Sequence, residues 1–132
     1  VTECAISSYD GVADFYVSRK TNQDWTRGLS HIVTQQGEKL LERHTHLIEK
    51  KIKVPCYKLQ TFLSMKEITY IDFMKVDVEG HETDIFEAYD WRVKPTMIKL
   101  EHQHIDDIKM AKMLEKQGYI VYTERKDMYA IR

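Results

Sequence analysis

Residues 71–102 read IDFMKVDVEGHETDIFEAYDWRVKPTMIKLEH, and this stretch decides the fold. Its two ends, IDFMKVDV and TMIKLEH, have the apolar patterns of strands, and the apolar residues of ETDIFEAYDW between them follow a helical spacing. A strand, a helix and a second strand in this order predict a parallel crossover. The chain is therefore predicted to be an α/β protein.

The N-terminal half predicts further strands and two short helices. Strand-like runs flank the sequence SYDG at 8–11, and an Asp-Gly pair in this setting predicts a β-hairpin. A polar loop or lid is predicted for residues 19–31 and a short helix for residues 35–47. A strand that runs up to Pro55 and a brief helix after Tyr57 complete this half.

The C-terminal end predicts one more helix and a closing hairpin. Asp106 is a suitable N-cap, and Gly118 is a suitable stop, for a helix whose apolar residues are Ile108, Ala111 and Leu114. The strand-like runs YIVYTE and MYAIR then predict an antiparallel pair at the end of the chain.

Length and composition favour a single domain, residues 1–132, with a formal net charge of -1. Without a basic stripe, a nucleic-acid partner is disfavoured. No apolar stretch is long enough to span a bilayer, so no membrane partner is expected. Cys4 and Cys56 lie far apart and in no metal-type spacing, which favours a reducing, cytoplasmic location.

Acidic and imidazole side chains follow the two strands of the predicted crossover. Asp77 and Glu79 come at the end of the first strand, and Glu101, His102 and His104 come at the end of the second. In open α/β sheets ligands bind outside the carboxyl ends of the parallel strands. The set therefore predicts a functional site at this edge.

For any single acid of this set, a structural role is as well supported as a role in a functional site. Asp77 could cap the following helix, while Glu79 and Glu82 could favour the positive end of that helix. A helix needs only one cap, and a second strand end brings further ionisable groups to the same edge. The whole set therefore favours a site more strongly than any one residue does.

Three segments carry a resemblance to a known family. The segments VPCYKLQTFL, IDFMKVDVEGHETDIFEA and MIKLEHQ resemble the C-terminal part of the FkbM-type S-adenosylmethionine-dependent methyltransferases, whose recurring motif is close to K-I-D-V-E-G-x-E. The opening AISSYDGVADFYVS is similar to the segment that precedes this part in the family. The resemblance covers most of the chain.

The resemblance implies a Rossmann-like class I methyltransferase sheet that is partial here, from the third strand onward, and ends in an antiparallel hairpin. It implies S-adenosylmethionine as cofactor and O-methylation of a hydroxyl on a small molecule or a carbohydrate. The residues implied to bind the cofactor are Ala5, Ile6, Ser7 and Asp77. The candidate catalytic residues are Asp77, Glu79, Glu101 and His102, of which His102 or a carboxylate would serve as the base.

The family pattern also includes, upstream, a glycine-rich turn for the amino-acid part of the cofactor and a strand ending in an acid for the ribose. The five glycines of this chain never lie close enough together to form such a turn. The sequence is therefore interpreted as a truncated methyltransferase domain that lacks the first two strand-helix units.

Two other functions stay open on the sequence alone. A metal-dependent hydrolase could use the edge formed by Asp77, Glu79, Glu101 and His102, although no compact metal-binding motif is present. A non-catalytic remnant of the fold could keep the sheet as an interaction surface. An N-terminal segment or a second copy in a homodimer is then expected to cover the sheet edge.

Overall fold

The computed structural model describes residues 2–18, 31–32, 48–78 and 80–132. Of the loop or lid predicted at 19–31, only His31 is described, and it lies in a strand. The predicted helix at 35–47 and the candidate residue Glu79 lie outside the described residues. No helix in the described ranges is long and apolar enough to cross a bilayer.

The first sheet has four strands and belongs to the N-terminal half. Its strands are β1 (Ala5–Ser7), β2 (Gly11–Ser18), β3 (His31–Ile32) and β4 (Ile48–Lys58), in the order β1-β4-β2-β3. Strand β4 runs parallel to β1 and antiparallel to β2. This long central strand continues past Pro55, where the sequence pattern predicted its end.

The predicted hairpin between β1 and β2 is wrong, although both strands exist. Strand β4 lies between them, so that Cys56 is the register partner of both Ala5 and Gly11. The Asp10 carboxylate accepts the backbone N–H of Lys58 at 2.9 Å and the hydroxyl of Thr61 at 3.1 Å. The Asp-Gly segment is therefore fixed across the end of β4, and pairing with this long strand overrides the local turn signal.

The second sheet contains the predicted crossover. The elements of this half are α1 (Leu59–Met65), β5 (Phe73–Val76), α2 (Glu82–Glu87), β6 (Met97–Glu101), α3 (Asp107–Lys116), β7 (Ile120–Glu124) and β8 (Asp127–Ile131). The strand order is β5-β6-β8-β7, with β5 and β6 parallel and the other two pairs antiparallel. The brief helix, the crossover and the closing hairpin are confirmed.

Helix α3 begins and ends where the sequence predicted, and Ala111 and Leu114 pack in the core as expected. Asp106 caps the helix by accepting the Lys109 N–H at 2.9 Å, and Gly118 follows the C-cap with φ +94°. The buried residues are Met110 and Leu114, whereas Ile108, expected in the core, is exposed.

The main core lies between the second sheet and its helices. One face of the sheet contributes Ile98, Leu100, Met128 and Ala130, and helices and loops contribute Leu63, Ile85, Phe86, Trp91, Met110 and Leu114. A separate small cluster within the first sheet contains Ala5, Ala13 and Cys56. The α/β class is confirmed. The described residues form two mixed sheets, and a Rossmann-like arrangement remains a prediction.

Two buried phenols make the stability of this core depend on pH. Burial raises the pKa of Tyr89 to about 12, with a further contribution from the Asp90 carboxylate, and burial also raises the pKa of Tyr119. The folded chain therefore holds these protons more tightly than the unfolded chain. We expect the free energy of unfolding to be unaffected by these groups below about pH 10 and to fall as the pH rises towards about 12.

Replacing Tyr89 by Phe is expected to make this fall shallower, whereas Tyr70→Phe, at an exposed position, leaves it unchanged. Urea unfolding at a series of alkaline pH values measures the slope. A slope in Tyr89→Phe equal to that of the wild type would contradict the role of this phenol.

Candidate functional site

The turn between β5 and α2 is held by a buried carboxylate. Glu82, only 1% exposed, accepts the Val78 N–H at Oε1 and the Gly80 N–H at Oε2, both at 3.0 Å. Gly80 adopts φ +98°, a conformation that glycine tolerates far better than other residues. Glu82 therefore fixes the backbone immediately after the strand. The sequence indicated only that Glu82 favours the helix end; an acid reaching back to N–H groups, as in a capping box, was the available signal.

Asp77 lies directly after β5 at the carboxyl end of the sheet. Its side chain is 45% exposed and forms an ion pair with Lys75 at 2.7 Å. The N-cap residue of α2 is His81, and its side chain makes no capping hydrogen bond. The alternative in which Asp77 caps this helix is therefore wrong, and its carboxylate is accessible at the strand end.

A chain of hydrogen bonds connects the end of β1 to the start of α2. The Ser7 hydroxyl and His81 Nε2 are 2.7 Å apart, and His81 Nδ1 is 2.8 Å from the Asp84 carboxylate. Ser7 is 1% exposed, whereas the Asp84 side chain is 56% exposed. This series of hydrogen bonds thus runs from the protein interior to its surface, and the His81 ring links Ser7 to Asp84.

These are the residue types of a serine-hydrolase triad, but the geometry assigns them a structural role. A nucleophilic serine needs access to a substrate carbonyl, and the Ser7 hydroxyl is enclosed beside the fully buried Cys56. Burial also raises the pKa of the Cys56 thiol, which keeps the thiol protonated and unreactive. The hydrogen bonds therefore hold β1 against α2 rather than activate a nucleophile.

His102, at the end of β6, has an unsatisfied ring nitrogen. Its backbone N–H donates to Lys126 at 2.9 Å, and its side chain is 17% exposed. Nδ1 lies 4.0 Å from the Asp107 carboxylate, while Nε2 is buried with no hydrogen-bond partner in the described part of the chain. A buried imidazole nitrogen without a partner leaves one hydrogen bond unmade. His104, by contrast, is exposed.

The structure brings most of the predicted residues to one edge. Val76 pairs with Leu100, so the strand ends of β5 and β6 coincide, and Asp77 and Glu101 follow as neighbours on one face. By the same alternation His102 lies on the face of Leu100. Ala5 and Ser7 are buried, and Ile6 packs against the main core. The cofactor-binding role of these three residues remains a prediction.

The described residues contain no group of three or more His, Cys, Asp or Glu side chains that could hold a metal ion. The alternative of a metal-dependent hydrolase therefore has no support from the described part of the chain. Asp77, Glu101 and His102, the ligands proposed for that hydrolase, are among the residues that form no such group.

The fold and site define an α/β protein whose candidate site lies at the carboxyl ends of two parallel strands. Residues 1–121 match the family described as the methyltransferase FkbM domain. The chain therefore belongs to this family, and the resemblance carried by its KVDVEGHE motif is confirmed. A search of curated proteins and a search of solved structures found no match.

Replacing Glu82 by Gln is expected to destabilise the fold. One of the two backbone N–H groups would then face an amide NH₂ instead of an oxygen, which costs about 1–3 kcal/mol. Urea unfolding measures the change, and Glu115→Gln on the exposed face of α3 is the matched control. Equal stabilities of the two variants would show that the buried carboxylate does not anchor the turn.

The hydrogen bonds from Ser7 through His81 to Asp84 predict that substitutions at the two ends of the series destabilise the fold unequally. Ser7→Ala leaves the nearly buried His81 Nε2 without a partner and should lower the free energy of unfolding by about 1–3 kcal/mol. Asp84→Ala removes an exposed partner and should cost roughly 1 kcal/mol or less. Chemical denaturation of both variants tests the order, and a larger loss for Asp84→Ala would contradict it.

Proposed function

We propose that this chain is an S-adenosylmethionine-dependent methyltransferase domain that methylates a hydroxyl oxygen of a small molecule or a carbohydrate. Membership of the FkbM methyltransferase family over residues 1–121 is the observation that carries this proposal. The edge formed by Asp77, Glu101 and His102 is the proposed site. Glu79, two residues after Asp77 in sequence, stays a candidate for the same site.

The side chains at this edge fit a cationic methyl donor. When bound, S-adenosylmethionine supplies a methyl group on a positively charged sulfur. The present partner of Asp77 is Lys75, and both side chains are about half exposed. Exposed ion pairs of this kind contribute only about 0–1 kcal/mol. Asp77 can therefore exchange Lys75 for the cofactor cation at little cost.

His102 fits the role of the base that accepts the proton of the acceptor hydroxyl. Its Nε2 is buried and lacks a partner, so an acceptor hydroxyl that supplies the missing hydrogen bond must reach the interior beside the end of β6. The Asp107 carboxylate lies 4.0 Å from Nδ1, on the other side of the ring from Nε2. Glu101 is the second candidate, because it ends β6 at the same edge.

A small-molecule or carbohydrate acceptor matches a site formed by carboxylates and imidazole. Cytoplasmic location is proposed because Cys4 and Cys56 are both free thiols. A homodimer contact or an upstream segment is proposed to cover the open edge of β5, whose Phe73 is 53% exposed.

Calorimetric titration of the 132-residue chain with S-adenosylmethionine, in buffer containing a chelator, tests the proposal directly. Micromolar binding is expected, and Asp77→Ala should weaken it at least several-fold, because the carboxylate that faces the cation is lost. Asp72→Ala, at the opposite end of β5, is the matched control and should bind like the wild type. Absence of binding by a folded sample would overturn cofactor use by this chain.

Replacing His102 by Gln should separate chemistry from binding. We expect methyl transfer to fall by about 10²–10⁴-fold while the affinity for S-adenosylmethionine stays unchanged. Release of S-adenosylhomocysteine, measured with the best acceptor from a panel of hydroxylated small molecules and sugars, gives the rate. The exposed His104→Gln is the control. Near-normal turnover of His102→Gln would exclude this residue as the base.

A further inference from the structure

A cleft lies at the edge of the second sheet opposite the proposed methyl-transfer site. It has a volume of about 250 Å³ and lies beside α1, next to the segments that lead into β5 and β6. Thr69 precedes β5 and Val93 precedes β6, so the cleft belongs to the amino ends of these strands. Asp77 and His102 lie at the carboxyl ends. The cleft is therefore separate from the proposed methyl-transfer site.

One buried acceptor at this cleft has no donor. The Gln60 side chain donates from Nε2 to the Ala88 carbonyl at 3.0 Å, which identifies the other end of the amide as its oxygen. That oxygen, Oε1, is buried and has no hydrogen-bond partner among the described residues. A buried acceptor without a donor is costly, so Oε1 is suited to accept a hydrogen bond from a molecule bound in the cleft.

The charges around the cleft leave one carboxylate uncompensated. Asp90 and Arg92 neutralise each other through an ion pair of 2.6 Å. Glu67 also lines the cleft, and no partner for its carboxylate occurs in the described ranges. The cleft is therefore net negative, which favours a cation.

The backbone position of Glu67 supports a role for its side chain. The Glu67 N–H donates to Ser64 at 3.0 Å and the Ile68 N–H donates to Leu63 at 2.9 Å, which is the Schellman pattern at the end of α1. The residue at the Glu67 position of this motif is usually glycine, because it adopts a positive φ, here +54°. Glutamate at this position costs conformational free energy that glycine would avoid. Its side chain lines the cleft.

We propose that this cleft binds a primary alkylamine. An ammonium group has three N–H donors and no acceptor, so it can satisfy Gln60 Oε1 and the Glu67 carboxylate together. The apolar part of the ligand would pack against Leu63, Ile68 and Val93, which also line the cleft. This binding does not depend on the methyltransferase activity.

A two-dimensional ¹H–¹⁵N NMR titration of the 132-residue chain with n-butylammonium chloride tests the proposal. We expect saturable shifts at the backbone amides of Leu63, Glu67 and Val93, with an affinity in about the millimolar range for so small a molecule. Sodium butyrate at equal ionic strength is the control probe and should leave these amides unchanged. Butyrate binding as well as the amine would overturn the proposal.

Three variants test the two polar groups. Glu67→Gln should weaken the amine at least about tenfold, because a charge-assisted hydrogen bond is lost. Gln60→Leu should also weaken binding, and it should change the melting temperature of the unliganded chain little, because it removes the unsatisfied oxygen together with the donor to the Ala88 carbonyl. Glu115→Gln, on the exposed face of α3, should change neither. Equal binding by Glu67→Gln and Glu115→Gln, or shifts that spread over the whole surface without saturation, would show that the cleft holds only water.

Discussion

The buried carboxylate of Glu82 is the interaction on which the site geometry depends. It holds the N–H groups of Val78 and Gly80 and so fixes the backbone at the end of β5. Asp77, immediately before this turn, stays at the strand end, and His81, immediately after it, faces β1. A charged acceptor forms stronger hydrogen bonds to backbone N–H groups than a neutral one, which suits a turn that must keep two side chains in place.

The motif KVDVEGHE divides into distinct physical roles within a few residues. Val76 and Val78 pack against the core, Gly80 makes the turn, His81 connects the two sheets through Ser7, and Glu82 anchors the backbone. Most of the motif therefore supports the architecture of the strand end. Asp77 is half exposed and its ion pair is weak, so it is the described residue of the motif that is best placed for chemistry.

The two edges of the second sheet differ in chemistry because the connections differ. At the carboxyl edge, β5 and β6 end together, with Asp77 and Glu101 on one face and His102 on the other. At the amino edge, the end of α1 and the segment after α2 enclose a small cleft around Gln60 and Glu67. Helix α2 connects the carboxyl end of β5 to the amino end of β6. A ligand at the carboxyl edge would contact residues that follow these two strands, and a ligand at the amino edge would contact residues that precede them.

The sequence by itself determined the local elements, and the tertiary structure decided their partners. Apolar periodicity predicted the crossover, the closing hairpin and the Asp106 cap, because these depend on residues close together in the chain. It also predicted Asp77, Glu101 and His102 at one edge, since parallel strands bring their carboxyl ends together. It could not predict that β4 separates β1 from β2, or that Ser7 meets His81 across 74 residues. It also missed the free Nε2 of His102 and the exposure of Ile108. Such pairings and surfaces depend on which distant elements pack together, and local propensity carries no information about them.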